Sequence, residues 1–162
     1  MSRFEEGLKI LEERCGNGKD NVISLATIAL SPGENGPRPV VREVDAYYED
    51  GVFYITTNAK STKMRQIAQN PEVAFAVSNN WISGNGVAEN LGWVLDPKNA
   101  EIRAKLRKAF EPWYDFANNE QDPDLVILAV RITSAIVIKD HHAVRYDMDF
   151  INKTVRDEIQ VI

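Results

Sequence analysis

The sequence predicts a mainly β fold: about six short strands in an antiparallel barrel, with helices at the periphery. Three observations carry this. Apolar and β-branched runs of strand length recur from Asn21 to Lys139. Tight turn signals such as Glu49-Asp50-Gly51 separate several of them, which favours antiparallel neighbours. Helical periodicity is confined to a few segments, so a sheet with little cover hides its edges best by closing on itself.

The elements follow in order. Ser2 to Arg14 reads as a helix: Ser2 and Glu5 form a capping-box pattern, Phe4, Leu8 and Leu11 share a face, and Gly16 stops it. Asn21 to Leu30 reads as a strand, and Ser31 to Pro39 as a loop. Val40 to Tyr48 alternates, with Val40, Arg42, Val44, Ala46 and Tyr48 on one side and Val41, Glu43, Asp45 and Tyr47 on the other. A hairpin turn leads into a strand from Val52 to Thr57. A helix from Ser61 to Gln69 puts Met64, Ile67 and Ala68 on one face, and Asn70-Pro71 ends it. Val73 to Ser78 is a short strand. Trp81 to Leu95 is a longer one, and Gly84, Gly86 and Gly92 within it predict bulges or a bend. Asp96-Pro97 opens a helix with Ile102, Leu106, Ala109 and Phe110 on its apolar stripe. Glu111 to Asp124 reads as a loop carrying Trp113, Tyr114 and Phe116. Leu125 to Lys139 reads as one long or two short strands. In the tail, Val155, Ile159 and Ile162 could share a helical face. The expected organisation is one domain over residues 1–162, with a core of about 21–139 and a C-terminal extension of 140–162.

Composition narrows the function. Twenty-four acids against 19 bases leave a net charge of −5, which disfavours nucleic-acid binding. The N-terminus is charged and amphipathic, and no apolar run reaches membrane length; neither a signal peptide nor membrane insertion is expected. A single cysteine, Cys15, allows no internal disulfide and fits a reducing cytoplasm. It reads as a small buried apolar residue. His141 and His142 are adjacent, and neighbours on a strand face opposite ways, so no metal site is expected there.

Gly51 to Pro71, GVFYITTNAKSTKMRQIAQNP, holds no acid at all. Lys60, Lys63 and Arg65 lie in it, with the hydroxyls of Thr56, Thr57, Ser61 and Thr62. A helix start near Ser61 offers unpaired N–H groups and a partial positive charge, so the segment reads as an anion site, most naturally for phosphate. The plainer alternative is a solvated basic helix face. Arg42 could equally be a cross-strand ion-pair partner, and the aromatic loop could be core or dimer packing.

The order Pro39-Val40-Val41-Arg42, Glu49-Asp50-Gly51, Phe53-Tyr54-Ile55-Thr56-Thr57, Ser61-Thr62-Lys63 and Asn70-Pro71-Glu72-Val73 resembles the pyridoxamine 5′-phosphate oxidase-like, FMN-binding split-barrel superfamily, in particular its small general-stress-protein-like members. The similarity spans about Asn21 to Lys139. It implies a six-stranded antiparallel split barrel and a homodimer with the flavin at the subunit interface. It implies FMN held by Arg42 at the phosphate or ribityl chain and by Ser61, Thr62 and Lys63 at the phosphate. Thr56 and Thr57 would lie near the pyrimidine edge, the backbone of Glu43 and Val44 along the isoalloxazine, and the aromatic loop of Trp113, Tyr114 and Phe116 over the ring from the second subunit. The implied activity is flavin-dependent reduction or oxidation of a small molecule, with NAD(P)H or a small substrate as partner; the alternative is a non-catalytic protein binding flavin, haem or a deazaflavin, or a stress-related role. Three departures stand out. Thr62 replaces an arginine of the phosphate motif, and Tyr47 stands where the true oxidase has a lysine. The tail His141-His142-Ala143-Val144-Arg145 does not match the oxidase's substrate motif either. FMN binding is thus better supported than oxidation of the B6 vitamer.

Overall fold

The computed structural model describes residues 1–156. Its elements are α1 (Arg3–Cys15), β1 (Asn21–Ile28), β2 (Pro39–Glu49), β3 (Val52–Asn58), α2 (Thr62–Gln69), β4 (Glu72–Val77), β5 (Ile82–Trp93), α3 (Ala100–Ala109), α4 (Tyr114–Ala117), β6 (Leu125–Lys139), β7 (Val144–Asp149) and β8 (Thr154–Arg156). A 3-10 turn at Pro97–Asn99 precedes α3, its first N–H groups capped by Asp96. Strand order is β3-β2-β1-β4-β5-β6-β7-β8, and a further β3–β6 ladder closes the first six into an antiparallel barrel. The expected mainly β, six-stranded barrel is what forms.

β6 explains how closure and extension coexist. Its first half pairs with β3, from Asn58↔Leu125 to Val52↔Arg131. Its second half pairs with β7, from Ser134↔Asp149 to Lys139↔Val144. The apolar run from Leu125 to Val130 is buried on both faces, one toward the barrel and one toward α3 and α4. Gly84 permits the close β5–β6 approach: a Cβ there would lie 2.1 Å from the Ser134 carbonyl oxygen. The ladder shifts register between Asn85 and Gly86, and again between Asn90 and Trp93 around Gly92, as the glycines predict.

Two apolar clusters result. The larger fills the barrel with Ile23, Leu25, Phe53, Ile55, Phe75 and Leu128 and extends to α1 through Phe4, Leu11 and Cys15. The smaller lies outside, where Leu106, Phe110 and Tyr114 pack on Tyr47, Val94 and Ile127. α1 is capped as read: the Ser2 hydroxyl accepts from the Glu5 N–H, and the Glu5 carboxylate accepts from the Ser2 N–H.

Several expectations are corrected. β1 ends at Ile28, two residues early. In α2 the buried set is Met64, Gln66 and Ile67, and Ala68 is exposed. The loop from Glu111 to Asp124 contains the single turn α4. The tail is not helical at Val155, which sits in β8; Ile159 and Ile162 lie outside the described residues. Among the described residues no helix is long and apolar enough to cross a membrane.

Candidate cofactor site

The barrel opens between β2 and β3. β1 and β2 pair over eight residues, from Asn21↔Ala46 to Ile28↔Pro39. β2 and β3 pair only at Tyr47↔Tyr54, Tyr48↔Phe53 and Glu49↔Val52. Past that hairpin β2 stays on β1, while β3 from Ile55 to Asn58 stays on β6, and the two strands part. A cleft of about 440 Å³ lies along this parting, with Val44 and Asp45 on one wall, Thr56, Thr57 and Asn58 on the other, and Trp113 at its rim.

α2 brings the cations. Ser61 caps it, its hydroxyl accepting from the Met64 N–H at 3.4 Å, and the Arg65 N–H bonds the Ser61 carbonyl. Lys63 then lies half-buried, and its Nζ donates to Thr57 Oγ1 at 2.7 Å, which ties it to the cleft wall. Arg42 enters from β2. Its Nη1 donates to Thr27 Oγ1 at 2.7 Å and to the Leu25 carbonyl at 3.1 Å. Its Nη2 donates to Gln66 Oε1 at 3.0 Å. Burial pulls the Lys63 ammonium below the usual lysine range, and the positive field of Arg42 adds to that. Burial likewise lowers Arg42. Among the described residues neither cation has a carboxylate partner; every acceptor on them is neutral. Two desolvated like charges without a counter-ion are unfavourable unless an anion joins them.

The other predicted residues divide. Val44, Thr56, Thr57 and Trp113 line the cleft. Glu43 is exposed and alternates away from Arg42 and Val44, so only its backbone can face the opening. Thr62 is exposed at the first turn of α2. Lys60 is occupied by Asp124 at 2.9 Å. Trp113 stacks on Phe110, with centroids 4.7 Å apart, and its Nε1 donates to Asp20 Oδ2 at 2.8 Å. Tyr114 is in the outer core rather than a lid, and Phe116 is 96% exposed. Tyr47 also faces the outer core, its hydroxyl donating to Glu49, which accepts from Lys105.

Sequence reasoning missed Thr27 and Gln66, which hold Arg42, and the facing carboxyls Asp20 and Asp45. Burial and the neighbouring Asp20 push Asp45 up to about 6. The signal for Gln66 was its spacing, three residues after Lys63 on the buried face of α2.

A family model described as pyridoxamine 5′-phosphate oxidase like matches residues 19–158. The chain belongs to this family. Among solved structures it resembles General Stress Protein 26 from Bacillus anthracis, at 18% identity and TM-score 0.57, over 83% of this chain and 92% of that one. It also resembles a pyridoxamine 5′-phosphate oxidase-related, FMN binding protein from Nostoc punctiforme, at 12% identity and TM-score 0.60, over 96% and 95% of the chains. An F420 reductase aligns at 24% identity and TM-score 0.55, over 76% and 94%. No curated protein sequence matches the chain. At these identities the solved structures establish the fold.

Proposed function

We propose that the cleft between β2 and β3 holds FMN and that the protein is a flavin-dependent oxidoreductase of a small molecule. The observation that carries this is the pair Arg42 and Lys63, half-buried, mutually repelling and without a carboxylate partner among the described residues. A phosphate dianion would relieve that repulsion, with each charge-assisted hydrogen bond contributing about 1.5–3 kcal/mol. The free N–H groups at the start of α2, at Thr62 and Lys63, would add to it. The ring would lie along Val44 and the Glu43 backbone, against Thr56 and Thr57, with Trp113 at the rim. A cleft of about 440 Å³ is within the usual range for such ligands.

When bound, the flavin supplies the redox chemistry; the protein orients it and sets the polarity around it. The residues present would fix the phosphate end, present hydroxyls at one ring edge and exclude water at Trp113. NAD(P)H or a small organic substrate would be the partner. Oxidation of the B6 vitamer finds less support, because Tyr47 is turned from the cleft and bonded to Glu49. Haem finds less support too: the described cleft lining offers no His, Cys, Met or Tyr as an axial ligand.

The proposed assembly is a homodimer with the flavin at the subunit interface. Beside Arg42, exposed Val41 pairs with Ala26, which pairs with Ala74 on the same outer face. These small uncharged residues suit a second copy. A cytoplasmic location is proposed on the single buried, unpaired Cys15.

The deciding experiment is the visible spectrum of the purified protein, followed by FMN titration read by flavin fluorescence. Saturable quenching that is lost in Lys63→Ala supports the reading. Absence of both bands and quenching, in a protein that remains folded, removes it.

A further inference from the structure

A second binding site lies away from the cleft, where the β4–β5 and β6–β7 turns meet the end of α1. A cavity of about 300 Å³ there is lined by Arg14, Lys139, His141 and His142, with Trp81 as a wall. Four basic residues around one cavity run against the acidic balance of the chain. Arg14 holds the two turns together, its Nη1 donating at 2.8 Å to both the Asn80 and Ile138 carbonyls. It has no carboxylate partner among the described residues. Asp140, also in the lining, is 4.0 Å from Lys139, and Lys139 further borders an adjoining cavity with Glu6 and Glu13. Trp81 meets His142 edge to face at 4.5 Å, yet is 61% exposed.

The backbone is unusual here as well. Asn79 and Trp81 have φ of 60° and 54°, and Asp140, His141 and His142 follow one another at 53°, 55° and 74°. Asn, Asp and His enter the left-handed region more readily than most residues, so the strain rests chiefly on the bulky Trp81.

Trp81 and Ile138 also line a neighbouring groove of about 440 Å³. Its remaining walls are apolar or small: Ala76, Ile82, Ser83 and Ile136 among them, with no charged residue. A cationic cavity thus opens into an uncharged groove across a shared indole.

We propose that this composite site binds an amphipathic organic anion, its carboxylate among Arg14, Lys139 and the two histidines and its apolar chain in the groove. Opposite charge fixes the head, burial of methylenes supplies the affinity of the tail, and Trp81 spans the junction. The groove wall Ala76 lies two residues from Ala74 on the same outer face, so the ligand site borders the surface proposed for the second copy.

The test uses the full chain and decanoate below its micelle concentration, read by the indole N–H signals in ¹H–¹⁵N NMR, with the Trp81 signal assigned by its loss in Trp81→Phe. Acetate supplies the head alone, and decyltrimethylammonium supplies the tail with the wrong charge. The expected result is saturable movement of the Trp81 signal with decanoate only, about tenfold weaker in Lys139→Glu and abolished in Ser83→Glu. Both side chains are partly exposed in strands β5 and β6. Equal binding of decyltrimethylammonium, or no movement of Trp81 in the folded protein, overturns the proposal. So does a change of oligomeric state in Ser83→Glu without decanoate binding, which would make the groove a contact between copies.

Discussion

Lys63 Nζ donates to Thr57 Oγ1 at 2.7 Å, so the first turn of α2 is joined directly to the strand that walls the cleft. The bond leaves the ammonium two further donors and no counter-charge among the described residues. Lys63→Ala is expected to weaken FMN binding by about 10- to 150-fold, the loss of roughly 1.5–3 kcal/mol. Folding stability should hold or rise slightly, because burial disfavours the charge that is removed. Fluorescence titration and a thermal melt read the two effects separately, and an unchanged affinity would count against the phosphate role.

Gln66 Oε1 accepts from Thr27 Oγ1 at 2.5 Å and from Arg42 Nη2 at 3.0 Å. Gln66→Leu keeps the bulk but strands a hydroxyl and a guanidinium. The expected cost is about 1–3 kcal/mol, a drop of several degrees in Tm by calorimetry. FMN affinity should fall as well, since Arg42 loses the partner that aims it. A melt unchanged from the parent would show that water replaces Gln66 without loss.

These two residues show what was legible and what was not. Lys63 could be read because a lysine after a hydroxyl pair at a helix start has a chemical meaning in sequence. Gln66 and Thr27 are neutral polar residues whose burial depends on tertiary approach. Asp20 and Asp45 face each other only because β1 pairs with β2 in the register Val22↔Asp45, which no local pattern fixes. β7 was readable after all: Val144, Tyr146 and Met148 alternate with Arg145, Asp147 and Asp149, and Tyr146 and Met148 are buried. The paired histidines before it masked that alternation. β8 spans three residues, too short for a periodic signal. The parting of β2 from β3 is a matter of ladder length, whereas the closure of the barrel followed from strand number and tight turns.

Asp45 should impose a pH dependence on stability. Its pKa is raised from the ordinary 3.8 to about 6, chiefly by burial and then by Asp20. A raised carboxyl pKa means that the folded state binds the proton more tightly. Its contribution is therefore fully present below about 3.8 and is lost as pH rises through about 6. Asp45→Asn should raise stability at pH 7.5 by about 1 kcal/mol after allowance for solvent screening, or roughly 2–4 °C in Tm. It should give no gain at pH 4. Parallel melts at the two pH values check this, and an equal gain at both would assign the effect to packing instead.

Glu120 holds the segment that carries Trp113. Its carboxylate accepts from Arg103 at 2.5 and 2.7 Å, from Arg107 at 2.8 Å and from the Tyr114 hydroxyl at 3.1 Å, while its carbonyl accepts from Trp93 Nε1 at 2.9 Å. The Arg103 guanidinium holds the Glu120 carboxyl below its usual range. The stabilisation it brings is present above the unfolded pKa and is lost as pH falls through the lower folded one. Glu120→Gln keeps the shape but removes the counter-charge of Arg103 and leaves Arg107 with Asp115 alone. Amide exchange across residues 113–124 should then speed up while Leu128 and Val130 in the barrel keep their protection. Because Trp113 stands at the rim of the cleft, FMN dissociation should accelerate with it, with little change in association rate. Exchange that stays slow would mean that Phe110 and Tyr114 hold the segment by packing alone, and that the ion network only decorates it.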